Sequence, residues 1–151
     1  ARIITTAAGY TLDTYLVTDA GTDEAVNDPE REEEIVQRVR RALLTRQVSA
    51  PSGTYASRRH RHFQFEPQIS FGRDERRRCT VLEVIALDRP GLLSAIGGAL
   101  DACEVNLVDA RIATFGERAE DYFYITDRQG RPFRETAAQE GLRAALVAAL
   151  A

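Results

Sequence analysis

The sequence predicts an α+β protein: antiparallel strands with helices on one face, built from one partial and one near-complete copy of the same unit. Three observations carry this. Thr80–Leu100 reads as a buried strand, a sharp turn and a helix. Two hairpin patterns, near residues 1–21 and 110–130, resemble each other. Each hairpin is followed by a segment with helical apolar spacing, so strands and helices alternate in a βαββα order.

The strand-turn-helix stretch is the most informative. Val81, Leu82, Val84, Ile85 and Leu87 are β-branched or aliphatic, as a strand buried on both faces requires. Asp88 and Arg89 leave the strand, and Pro90 suits the first turn of a helix, where its missing N–H costs nothing. Gly91 keeps the helix mouth clear of a side chain. Leu92, Leu93, Ile96, Leu100 and Cys103 then fall on one apolar stripe.

The hairpins form an internal repeat. Ala1, Arg2, Ile3 and Thr5 match Ala110, Arg111, Ile112 and Thr114. Asp13, Tyr15, Thr18, Asp19 and Gly21 match Asp121, Phe123, Thr126, Asp127 and Gly130, allowing small gaps in the turns. The second copy has a strand and a helix, Thr80–Asp109, before its hairpin, and the first copy has none. We therefore expect a partial first domain at 1–66, with a linker at 47–62, and a second domain at 67–151. The chain reads as starting inside a domain, as a fragment or the ordered part of a longer polypeptide.

Between the copies, Asp28 caps a helix that Pro29 begins, with Ile35, Val36, Val39, Leu43 and Leu44 on its apolar face. Phe63 and Phe65 alternate with polar residues as in a strand, Gln68–Phe71 is a second short strand, and Gly72–Arg78 is a polar turn. In a βαββαβ sheet of order 4-1-3-2, the last strand lies antiparallel beside the first. Gln68–Phe71, as the hairpin partner of the buried strand, would fill that place. A final helix runs from about Glu135 to Leu150, with Leu142, Ala145, Leu146, Ala149 and Leu150 inward.

Composition narrows the function classes. The 151 residues carry a net charge of −3, with arginine supplying every basic side chain apart from His60 and His62. That balance does not mark a polyanion binder. The Arg58–Arg61 and Arg76–Arg78 runs lack interleaved stacking aromatics, so nucleic-acid binding ranks last. No apolar run reaches membrane length, and no signal peptide is evident. Cys79 and Cys103 make no disulfide framework and suit buried positions in a reducing cytoplasm. His60-Arg61-His62 lacks the Cys or carboxylate company of a metal site, and no residue pattern marks a catalytic centre.

The candidate binding site is Asp88, Arg89, Pro90, Gly91 and Leu92 together with Asn106. Backbone N–H groups at the helix mouth suit a carboxylate, Asp88 suits an ammonium, and the Asn106 amide suits a side-chain amide. The same residues also fit a purely structural role, with Asp88 capping the helix, Gly91 allowing close packing and Asn106 turning the chain.

The stretch LEVIALDRPGLLSAIGGAL resembles the first strand and helix of an ACT domain, a ferredoxin-like βαββαβ module that commonly binds amino acids. With NLVDARIATFGERAEDYFYITDRQGRPF, it resembles the carboxy-terminal tandem ACT region of bacterial PII uridylyltransferase/uridylyl-removing enzymes. ARIITTAAGYTLDTYLVTD is similar to the second half of that region's first ACT domain, and HFQFEPQISF to its inter-domain segment. The resemblance implies a glutamine-sensing regulator of nitrogen assimilation. UTP, a divalent metal such as magnesium, the PII protein and the hydrolytic reaction would belong to the parent enzyme, and no cofactor to this segment. Exposed strand edges and an apolar face in the first copy imply a homodimer. A structural dimerisation module, or the ACT region of another amino-acid-metabolism enzyme, remains the alternative.

Overall fold

The computed structural model describes residues 2–6, 8, 10–19, 21–22, 24–45 and 65–151. It contains strands β1 (Arg2–Thr5) and β2 (Thr11–Thr14), helix α1 (Pro29–Thr45), strands β3 (Gln68–Asp74) and β4 (Cys79–Leu87), helix α2 (Leu92–Ala102), strands β5 (Asn106–Phe115) and β6 (Arg118–Thr126), and helix α3 (Thr136–Leu150). The chain divides into two compact units, Ala1–Thr14 with Gly53–Ala151, and Tyr15–Ser52.

The first unit holds a six-stranded sheet of order β2-β1-β5-β6-β4-β3. All its neighbouring strands are antiparallel. Strand β3 pairs with β4 through Ile69↔Val84 and Phe71↔Leu82, so the segment before the buried strand occupies the edge place beside it. The order β3-β4-β6-β5 is that of a ferredoxin-like sheet with its last strand supplied from upstream. The antiparallel α+β architecture expected from sequence is present. The strand runs on through Gly72, Arg73 and Asp74, beyond the expected turn, because these residues stay in register with Val81, Thr80 and Cys79. The turn itself is anchored where the Asp74 carboxylate accepts the Arg77 N–H at 2.9 Å. The Arg77 guanidinium also lies 4.3 Å from the Tyr124 ring centre and 3.7 Å from Asp109. Phe65 is not in a strand, since Pro67 offers no N–H and pairing begins at Gln68. Phe63, the linker and the Arg58–His62 run lie outside the described residues.

The core lies between one sheet face and the helices. Leu82, Val84 and Ala86 of β4 alternate inward, as do Ala119, Phe123 and Ile125 of β6. Leu92, Ile96, Ala99 and Leu100 of α2 and Leu142, Leu146 and Leu150 of α3 close over them. Leu93, expected on that stripe, is 37% exposed at its margin, because the buried face follows Leu92, Ile96, Ala99 and Leu100. Thr80 Oγ1 donates to the Phe133 carbonyl at 2.9 Å, and Arg143 donates to the Ile69 carbonyl, fixing the approach to α3 and the middle of the helix to the sheet.

The hairpin β1–β2 extends the same sheet, so the residues read as the start of a separate first domain pair directly with the second. Arg2 faces Arg111, Ile3 faces Ala110, and Ile4 faces Asp109. Arg2 is the repeat counterpart of Arg111, so each meets its own equivalent and a local two-fold axis passes through that pair. The repeat is visible in the pairing too: Ile3 faces Asp13 as Ile112 faces Asp121.

The second unit holds helix α1. Asp28 Oδ1 accepts the Glu30 N–H at 3.0 Å, the cap expected before Pro29. Within α1, Val36, Val39, Leu43 and Leu44 are all at least half exposed. Among the described residues no helix is long and apolar enough to cross a membrane.

The packing separates two leucine-sized positions on α2. Ile96→Ala should cost about 2–5 kcal/mol by urea unfolding, and Leu93→Ala less than about 1 kcal/mol. Equal costs would contradict the face assigned to the helix.

Candidate functional site

Strand β4 ends at Leu87, and Asp88 and Arg89 lead into a turn at Pro90 and Gly91 that opens onto α2. The Asp88 N–H donates to the Glu117 carbonyl at 2.8 Å, tying this segment to the turn between β5 and β6. Gly91 is the helix N-cap, with a left-handed φ of 84° that a side chain would strain. Pro90 therefore lies before the helix, not in its first turn, and no side chain caps the helix. The structural role suggested for Asp88 as a cap is not what the chain uses. Leu92 N–H donates to the Arg89 carbonyl and Ala95 N–H to the Gly91 carbonyl. The amides between them, Leu93 and Ser94, face the mouth as first-turn N–H groups without intrahelical acceptors.

The six expected site residues separate in the fold. Asp88, Arg89, Pro90, Gly91 and Leu92 are contiguous at the mouth, with the Asp88 side chain half-buried and Leu92 in the core. Arg89 is committed elsewhere: its Nη2 donates to the Ala149 carbonyl at 3.0 Å, where a cation suits the C-terminal end of α3. Asn106 does not join them. Leu87 and Phe115 both pair with Arg118, so Asp88 is level with the far end of β5. Asn106 begins that strand, roughly 30 Å away at about 3.3 Å per residue. Its Nδ2 donates instead to the Asp127 carbonyl at 3.0 Å. Reading β5 as merely adjacent missed that it runs parallel to β4 and places its first residue at the opposite end of the sheet.

A different carboxylate comes close. Asp121 lies on the helix side of β6, opposite Val84 and Ile112, and is 1% exposed. Helix α2 passes over β6 on its way from the end of β4 to the start of β5. Neither Asp121 oxygen has a hydrogen-bond partner. Burial pushes its carboxyl up from 3.8 to about 6; the nearby Ala113 amide pulls it back in part, and the Asp88 charge adds to the rise. Sequence reading missed Asp121 because it sits within a run of strand residues and offers only one signal, its recurrence as Asp13 in the repeat. Among the described residues there is no group of three or more His, Cys, Asp or Glu side chains that could hold a metal ion.

Residues 80–135 match the ACT domain family. The chain is 43% identical, over 97% of its length, to a bifunctional uridylyltransferase/uridylyl-removing enzyme of Pseudomonas aeruginosa (strain LESB58). Its counterparts in Azotobacter vinelandii and Pseudomonas syringae pv. tomato are 42% identical over 89% of the chain and 40% identical over 97%. The chain spans about 16% of the length of the Pseudomonas relatives and 15% of the Azotobacter one. No solved structure matches the chain significantly.

Two stability measurements test this geometry. The folded Asp121 keeps a proton between about pH 4 and 6 that the unfolded chain has released, so its contribution is most favourable below pH 4 and declines as pH rises to 6. Asp121→Asn should abolish that decline and raise stability at pH 7 by on the order of 1–2 kcal/mol; an unchanged urea midpoint across pH 4–7 relative to wild type would count against it. Arg89→Ala should destabilise by about 1 kcal/mol through loss of the α3 contact, and a neutral result would free Arg89 for another role.

Proposed function

Because the chain carries an ACT domain and is homologous over nearly its whole length to a segment of the bifunctional uridylyltransferase/uridylyl-removing enzymes, we propose that it is the amino-acid-sensing region of such an enzyme, with glutamine as effector. The observation that carries this reading is the α2 mouth. First-turn amides, a glycine N-cap without a side chain and the uncommitted Asp88 carboxylate sit together at one end of the sheet. An α-amino acid presents the complementary pair of charges. Arg89 and Asn106, each bonded to a backbone carbonyl, are supports in this reading and not ligand contacts.

The segment is regulatory and does no chemistry of its own. Transfer of a uridylyl group from UTP to a PII signalling protein, and its hydrolytic removal, belong to the longer cytoplasmic enzyme, together with a divalent metal such as magnesium. Glutamine would bias the two activities only through unequal affinity for the enzyme states. A homodimer fits the outer edge of β2, which is unpaired among the described residues, and the exposed apolar face of α1. Those same surfaces favour the second reading, a dimerisation module that works without ligand.

Titration calorimetry of this chain with L-glutamine separates the readings. Binding should be detectable, weakened at least about tenfold by Asp88→Ala, and left unchanged by Asn106→Ala. A folded chain that pairs in sedimentation and binds no amino acid would favour the dimerisation module and overturn the sensor.

A further inference from the structure

We infer that Asp121 is a second ammonium-holding residue of the effector site, a buried positioning and specificity group that acts with Asp88 at the mouth of α2. The inference rests on the amino-acid-sensing reading of the α2 mouth and deepens it. Three observations meet here. Asp121 is 1% exposed and neither oxygen has a hydrogen-bond partner, so a carboxylate sits buried on the helix side of the sheet, and the nearby Ala113 amide offsets the cost of its burial only in part. It lies near the end of β6 that faces the helix mouth: Arg118, three positions earlier, pairs with Leu87, and Asp88 follows directly. The repeat keeps the same arrangement, an isoleucine facing an aspartate across each hairpin, as Ile3↔Asp13 and Ile112↔Asp121.

A core position filled only for packing would carry an apolar side chain, as Phe123 and Ile125 do two and four residues further on. The charge is buried in the second copy only, where Asp13's counterpart Asp121 is 1% exposed, and a cation that arrives with a ligand explains it. A primary ammonium fits, since it offers three donors to two unpartnered oxygens. The ligand carboxylate then falls at the Leu93 and Ser94 amides, at the positive end of α2. The zwitterion lies between helix and sheet, with its ammonium inward. Because the carboxylate is covered in this structure, entry requires the first turn of α2 to part from β6. Binding is thereby coupled to movement of the helix, which is what a regulatory module needs.

The test compares L-glutamine with glutaramate, which is glutamine without its α-ammonium, on wild type and Asp121→Asn. Wild type should bind glutamine at least about tenfold more tightly than glutaramate. Asp121→Asn should lose most of that preference through weaker glutamine binding, while remaining at least as resistant to urea as wild type. A merely structural role would not remove this discrimination. Glutamine bound by Asp121→Asn with undiminished preference would overturn the role of Asp121 and leave the sensor reading standing. Wild type binding none of the twenty amino acids would overturn both. Should Asp121→Asn fail to fold, the wild-type comparison decides: equal affinity for glutamine and glutaramate overturns the ammonium subsite, and a tenfold preference supports it.

Discussion

The structure depends on one apolar layer, the helix-facing side of β4 and β6. Leu82, Val84, Phe123 and Ile125 supply it from the sheet, and Ile96, Leu142 and Leu146 close it from above. These two strands are central, so each is hydrogen-bonded on both edges and the layer cannot slip by one residue without turning its core side chains to the other face. Everything at the candidate site is placed by this constraint. The alternation that buries Val84 and Phe123 also forces Asp121 inward. The crossover that covers Val84 brings the mouth of α2 to the same end of the sheet. An anion in that layer is therefore a consequence of register, and its retention calls for a chemical reason.

The pairing of β1 with β5 gives the second organising fact. Sequence-equivalent strands lie antiparallel, with Arg2 against Arg111, so the two copies are joined about a local two-fold axis through the edge strand of the complete copy. This makes the repeat more than a record of duplication. The helix side of the sheet continues across the pair through Ala110 and Ile3, and the Ile–Asp pair recurs on both sides of the axis. Asp13 is exposed in its copy and Asp121 is buried in its own, so the same pair meets two environments.

Much of the fold was legible in the residues. A dense apolar run gave β4, although past Thr80 only alternate residues are fully buried and the other face is partly exposed; turn chemistry gave the hairpins, and the hairpin partner of β4 was correctly assigned to the vacant edge position. The limits were physical. Strand pairing carried β3 to Asp74, past a glycine and two charged residues that read locally as turn, because the tertiary ladder outweighs propensity. The attachment of β1 to β5 depends on contacts over a hundred residues apart, which local pattern does not encode. The site was half legible. The Asp88–Leu92 mouth follows from chain-local chemistry, whereas excluding Asn106 and finding Asp121 both required knowing which ends of β4, β5 and β6 coincide.

Asp121 is a buried carboxylate that awaits a cation at the mouth of α2. Its most direct test is the carbon-13 shift of the Asp121 side-chain carboxyl followed from pH 3 to 8, with and without saturating L-glutamine. The free chain should titrate at about 6, and the midpoint should fall below about 5 when the ligand ammonium sits beside the carboxylate. A midpoint that glutamine leaves unmoved, in a chain shown to bind it, would contradict the account.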